Sequence, residues 1–193
     1  MPKAMLAAAV AAALLGLRAV EAKTHPQRKV RATMNLTSAA FQDAQPIPKK
    51  YTGEGDDVSP PLAWSGVPSK AKSLALIVDD PDAPMGTWIH WVIYNIPAKA
   101  SGLPENVSKS QEKLPDGALQ GLAWGVEGNA RFPCGRVGYG GPMPPPGLPH
   151  RYFFKLYALD EALSSPRLTK SALIKAMKGH ILAEAQLIGT YQR

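Results

Sequence analysis

Apolar and polar positions divide the chain into short strand-like pieces separated by turns. Residues 74–78 (LALIV) form an unbroken apolar run between Ser73 and the Asp79-Asp80-Pro81 breaker. A run that short, apolar and partly β-branched predicts a strand buried on both faces. WVIYNI (91–96), closed by Pro97, predicts a second such strand. In HRYFFKLYALD (150–160) alternation sets His150, Tyr152, Phe154 and Leu156 on one side and Arg151, Phe153, Lys155 and Tyr157 on the other, which predicts a third. ATMNLTS (32–38) is a shorter strand-like piece, and 46–64 (PIPKKYTGEGDDVSPPLAW) is rich in turns. Beyond Thr169, a fitting N-cap, Leu173, Ile174, Met177, Ile181 and Leu182 recur at helical spacing, with Gly179 placed to break or kink the helix. The pattern predicts a mainly β fold, an antiparallel β-sandwich with one or two short C-terminal helices laid against it.

Composition adds the domain plan. With 19 prolines and 17 glycines in 193 residues, one turn-rich domain fits better than a helical bundle. Residues 1–22 read as a signal peptide: Lys3 charges the n-region, Ala4 to Leu17 carries no charge, and Val20-Glu21-Ala22 supplies a small-x-small cleavage site. The apolar stretch is shorter than the ~20 residues of a spanning helix. No twin arginine precedes it and no cysteine follows it, so the expectation is Sec export to the periplasm or the exterior. Residues 23–32 read as a flexible basic arm and 33–193 as the folded domain.

Losing the leader would take the net charge from +7 to +6, a balance that weakly favours anionic partners. The cations are scattered without interleaved aromatics, so nucleic-acid binding is not expected. Lys170, Lys175 and Lys178 read as a solvated helix face. Cys134 is the only cysteine; no internal disulfide can form, and a partly buried, inert thiol is expected.

The candidate chemistry clusters where strands end. In Asp80-Pro81-Asp82-Ala83-Pro84 two prolines stiffen a loop and push the residues before them towards extended backbone. His90 begins the next strand, and His150 with Tyr152 begins the third, so neighbouring strands would open all of them onto one mouth. Taken singly, each has a blander reading: the aspartates as turn-formers, the histidines as half-exposed strand ends, Tyr152 as core. Residues 138–152 (GYGGPMPPPGLPHRY) read as a pocket wall in which glycines admit close backbone approach and Pro144 to Pro146 stiffen the chain. No nucleophile elbow, HExxH, paired CxxC, P-loop or dinucleotide fingerprint occurs. A metal site from Asp80, Asp82, His90 and His150 is chemically conceivable, but its spacing is not diagnostic.

These stretches together resemble the phosphatidylethanolamine-binding protein family, which includes the Raf-kinase-inhibitor-like proteins, and especially its bacterial YbhB/YbcL-type branch. The resemblance rests on YTGEGDDVSPPLAWSGVP (51–68), LALIVDDPDAP with GTWIHWVIYNIP (74–97), GYGGPMPPPG with HRYFFKLYALD (138–160) and the terminal GTYQR. It implies an antiparallel β-sandwich with C-terminal helical elements and a small pocket for phosphate-like groups. It implies Asp80 as pocket aspartate, Pro84 as wall proline, Trp88 and His90 upstream of Asn95, the pair His150 and Tyr152, and Gly141 and Pro142 at the mouth. Met143 departs from the cysteine that the resemblance leads one to expect there.

Within such a pocket a carboxylate that accepts from an imidazole fixes its tautomer and favours its charged form. His90 and His150 are therefore expected to donate to an anion, Asp80 to orient them, Tyr152 to add a hydroxyl, and the glycine loop to add backbone amides. The leading expectation is a non-enzymatic binding protein without cofactor or metal, taking a small anion or a phospholipid head group. The alternatives are an inhibitor or regulator of a kinase or protease and, less favoured, a hydrolase using the Asp/His cluster. Peripheral membrane contact and homodimerisation stay open.

Overall fold

The computed structural model of the protein describes residues 34–193; the leader assigned to 1–22 and the arm assigned to 23–32 lie outside them. Among the described residues the strands are β1 (Asn35–Thr37), β2 (Gln45–Pro46), β3 (Leu62–Ser65), β4 (Ser73–Asp80), β5 (Trp88–Pro97), β6 (Gly102–Leu103), β7 (Leu119–Gln120), β8 (His150–Leu159) and β9 (Ile181–Tyr191). One α-helix, α1 (Lys170–Met177), precedes β9. A small sheet runs β1-β3-β6 and a large one β2-β9-β8-β4-β5-β7. Neighbours pair antiparallel except for the short parallel contact of β2 with β9.

The large sheet is buried on both faces. Leu36 and Trp64 of the small sheet join Leu74, Leu76, Val78, Trp91, Phe154 and Leu156 in one apolar cluster. On the opposite face Ala75, Ile77, Val92 and Tyr94 pack with Leu173 and Met177 of α1. All eight positions of β4 are therefore buried, as an unbroken apolar run requires. Each fully buried Leu or Ile contributes about 1.5–3 kcal/mol relative to exposure.

The C-terminal segment departs from its apolar spacing. The hydroxyl of Thr169 caps α1 by accepting from the Ala172 amide, but the helix closes at Met177, and Gly179 takes φ +91°. Ile181 and Leu182 are not helical; they open β9, whose register with β8 runs from Leu159↔Ile181 to His150↔Tyr191. The open edge of β8 offers this segment a full ladder of backbone hydrogen bonds, and that outweighs a helical repeat of apolar residues. One short helix stands where one or two were expected.

Lys170 is not a solvated charge. Alternation along β4 turns Asp79 to the α1 side of the sheet, where its carboxylate accepts from Lys155 Nζ (2.8 and 3.0 Å) and Lys170 Nζ (2.5 Å). Asp79 is 1% exposed, and those two ammonium groups are its counter-charges.

A bulge places His90. Val78 pairs with Trp91 and Asp79 with Ile89, so β5 carries one extra residue opposite β4. Without it His90 would share the helix side of the sheet with Val92, and Ile89, which packs there, would turn to the other face. With it His90 joins Trp91 on the opposite side and lines a cavity at the end of the sheet. Re-aiming one side chain in this way is what bulges do beside functional sites.

Candidate functional site

The cavity has a volume of about 450 Å³ and opens where β4, β5 and β8 meet the loops around residues 53–57, 83–88, 124–132 and 140–145. Asp80, Pro84, Trp88, His90, Gly141, His150 and Tyr152 all line it. Register explains the meeting. Asp79 lies opposite Phe153 in the β4–β8 ladder, so the next residue on β4, Asp80, shares a face with Tyr152 and His150.

Asp80 is the hub of the floor. Its Oδ2 accepts from His150 Nδ1 at 2.7 Å and its Oδ1 from the Asp82 amide at 2.8 Å. A carboxylate can only accept from that ring, so Nδ1 of His150 bears hydrogen and Nε2 is left for a guest. Asp82 turns away from this group. It accepts from the Arg151 amide (3.0 Å), Nε (2.9 Å) and Nη2 (2.8 Å), and that guanidinium holds the Asp82 carboxyl down at about 2. The four-residue metal grouping considered from sequence is thus not formed, because Arg151 has claimed one member.

His90 is oriented differently from the expectation. Its Nδ1 lies 2.6 Å from the carbonyl oxygen of Gly140, which can only accept, so Nδ1 carries the hydrogen and Asp80 is not its orienter. His90 is 6% exposed, and burial pushes its pKa below the ordinary 6.5, against the upward pull of the Gly140 carbonyl and of Asp80. The expected carboxylate-raised imidazolium is therefore replaced by a neutral ring whose Nε2 is an acceptor.

That shift has a sign for stability. A histidine harder to protonate when folded leaves the unfolded chain binding more protons, so stability falls as pH drops below 6.5 and levels off below the folded pKa. Thermal unfolding scans between about pH 5 and 8 should show this decline, and His90→Gln should flatten it; an unchanged slope in the variant would assign the decline to other groups.

Tyr152 is 1% exposed, and its ring meets that of His90 edge-on with centroids 5.1 Å apart. Burial raises its hydroxyl far above the usual phenol range, so it stays protonated. Among the described residues, neither imidazole Nε2 nor the Tyr152 hydroxyl has a hydrogen-bond partner within the protein. These three atoms are polar groups that the cavity floor can offer a guest.

The walls are apolar. Trp88 and Phe132 contact at 5.6 Å between centroids, and Trp124, Met85, Met143, Pro144 and Pro145 complete the lining. The glycines contribute shape but no amides. Gly140 N donates to the His90 carbonyl (2.9 Å) and Gly141 N to Asp57 Oδ1 (2.6 Å), so the amide donors expected from this loop are already used. A Cβ at Gly141 would sit 2.5 Å from the Tyr51 carbonyl oxygen, and only glycine fits there. Pro142 is buried beside the wall and does not line the cavity; its carbonyl accepts from Gly53 N at 2.9 Å.

Several lining residues escaped the sequence reading. Asp57 holds the glycine loop and pairs with Lys109, yet in sequence it is one acid in a turn-rich stretch. Trp124 and Phe132 arrive from loops without periodicity; an aromatic flanked by glycine, as in Trp124-Gly125, was the available signal. Cys134 is half-buried, and burial raises its thiol.

The likeness to known proteins extends through these same segments. The family profile described as Phosphatidylethanolamine-binding protein matches residues 37–192. A UPF0098 protein of Methanothermobacter thermautotrophicus is 52% identical over 161 residues, covering 83% of this chain and 99% of its own. A phosphatidylethanolamine-binding protein homologue from Chlamydia trachomatis has a crystal structure that superposes with TM-score 0.72 at 45% identity, covering 84% of this chain and 99% of that one. The crystal structure of Escherichia coli YbcL gives TM-score 0.70 at 32% identity, with 83% and 98% covered. With the cavity segments and all strands but the start of β1 inside the matched span, the chain belongs to the phosphatidylethanolamine-binding protein family.

Proposed function

We propose that this chain is a non-enzymatic binding protein whose cavity receives a small phosphate-like group, either free or as the head of a phospholipid. The observation that carries the reading is the convergence of His90, His150 and Tyr152 at the floor of an otherwise apolar cavity. Concave, mostly apolar sites with a few placed polar groups are the usual form of small-ligand sites, and about 450 Å³ falls within their range. His150 has Asp80 behind it, so a proton on Nε2 is balanced across the ring while that nitrogen donates to an anionic oxygen. Export to the periplasm or the exterior by the leader belongs to the same proposal, and N-terminal sequencing of the mature protein checks it.

Calorimetry with inorganic phosphate and with phosphoethanolamine tests the binding reading. Both should bind, and His150→Ala should weaken each at least about tenfold by removing a charge-assisted donor, a contact of about 1.5–3 kcal/mol. Equal affinity in wild type and variant sinks the reading, as would turnover of phosphate esters by the pure protein.

A further inference from the structure

Among the described residues, no lysine or arginine lines the cavity. Both of its carboxylates are committed: Asp57 to Gly141 N and Lys109, Asp80 to His150 and the Asp82 amide. A doubly charged guest would meet no fixed cation there, and desolvating it would be costly. The two imidazoles, moreover, are not equivalent. Each has its Nδ1 hydrogen engaged, but His150 gives it to a carboxylate and His90 to the neutral Gly140 carbonyl. Behind the His150 ring stands a carboxylate, which supports donation from its far nitrogen to an anion, whereas His90 has only a neutral carbonyl behind it and its Nε2 presents a lone pair.

We propose that the floor of the cavity selects a singly protonated phosphoryl group over a sulfuryl group of the same shape, with His90 as the residue that sets this specificity. It rests on the phosphate reading above and assigns the guest's protonation state. His90 Nε2 accepts from the guest's P–O–H, and His150 Nε2 and the Tyr152 hydroxyl donate to its unprotonated oxygens. A phosphate monoester carries such a proton below a second pKa of about 6, and inorganic phosphate keeps at least one throughout the neutral range, whereas sulfate carries none. A site built to receive an O–H discriminates strongly against an analogue that lacks it, because the acceptor is left facing another anionic oxygen.

The groups facing His90 support this assignment. Asp80 on β4, His150 and Tyr152 on β8, and Asp57 from the loop after Thr52 share its cavity, while Asp79 lies behind it on the other face of β4. Lys109 is held by Asp57 and Arg151 by Asp82. Burial pulls the pKa of His90 below its ordinary value in spite of these acids, which favours the lone pair that the Nδ1 contact with the Gly140 carbonyl leaves on Nε2.

The test compares inorganic phosphate with sulfate at about pH 7, and phosphoethanolamine at about pH 5 with about pH 8, on either side of the monoester titration, by calorimetry on the wild-type protein. Phosphate should bind at least about tenfold more tightly than sulfate, and phosphoethanolamine should weaken at the higher pH. His90→Phe, which keeps a ring and removes the acceptor, should bring phosphate affinity down to that of sulfate. Should the variant fail to fold, the wild-type comparison alone decides. Equal binding of phosphate and sulfate, or phosphoethanolamine affinity that rises with pH, overturns the specificity while leaving phosphate binding intact. Failure of both anions to bind overturns the phosphate reading and this inference together.

Discussion

Replacing Lys155 and Lys170 together with methionine should destabilise the protein by about 3–5 kcal/mol, more than Asp79→Asn does. The asymmetry follows from burial. The Asp79 side chain is 1% exposed, while those of Lys155 and Lys170 are 30% and 21% exposed. Removing both lysines strands a carboxylate where water cannot reach it. Removing the carboxylate's charge leaves two flexible amines that can turn outwards, at a cost of about 1–2 kcal/mol for the weakened hydrogen bonds. Methionine preserves much of the aliphatic stem and removes the ammonium, including its contact 5.2 Å from the Phe153 ring centroid, so the comparison weighs charge apart from stem packing. Urea denaturation midpoints of the three proteins provide the measurement. A double variant no less stable than Asp79→Asn would show that the carboxylate does not depend on these partners.

The second large effect concerns Asp80. Asp80→Ala should weaken phosphate binding by about 10–100-fold, the range seen when a carboxylate that orients a ligating histidine is removed. Two contacts are lost at once: His150 Nδ1 no longer has its acceptor, and the Asp82 amide is released from the loop that carries Pro84. Asp80→Asn should fall between wild type and alanine. Its single carbonyl oxygen can serve the imidazole or the amide, and it supplies no charge to balance a proton on His150. Calorimetric titration of phosphate into each variant reads the order; an asparagine variant as tight as wild type would mean that geometry alone, without charge, suffices.

Much of the scaffold was legible because its signals are local. LALIV could only be a strand buried on both sides, HRYFFKLYALD alternates as its burial does, and Thr169 caps α1 as a threonine before a helical repeat should. The segment 181–191 was misread because its inward positions, Ala183, Leu187 and Gly189, are small and sparse, while its first two apolar residues fell in phase with the preceding helix. Its conformation is decided by the waiting edge of β8, which no local pattern announces. The site divides in the same way. Asp80, His90, His150 and Tyr152 could be linked as residues at neighbouring strand ends, and the family resemblance added Pro84, Trp88 and Gly141. The bulge that turns His90 into the cavity is a one-residue slip between strands, visible only once pairing is known. Pro142 came with Gly141 from the same resemblance, yet it is buried and does not line the cavity. Asp57, Trp124 and Phe132 come from irregular loops, where position is set by tertiary contacts such as the Asp57 grip on Gly141.

The place of β9 between β2 and β8 also bears on how the chain is made. A nascent polypeptide emerging from the ribosome has β8 complete some twenty residues before its neighbour exists, with one edge of a hydrophobic strand unpaired for that interval. The large sheet closes only when residues up to 191 are free to dock, so folding must wait for nearly the whole chain, and translation that stops short of Ile181 would release a product prone to edge-to-edge aggregation.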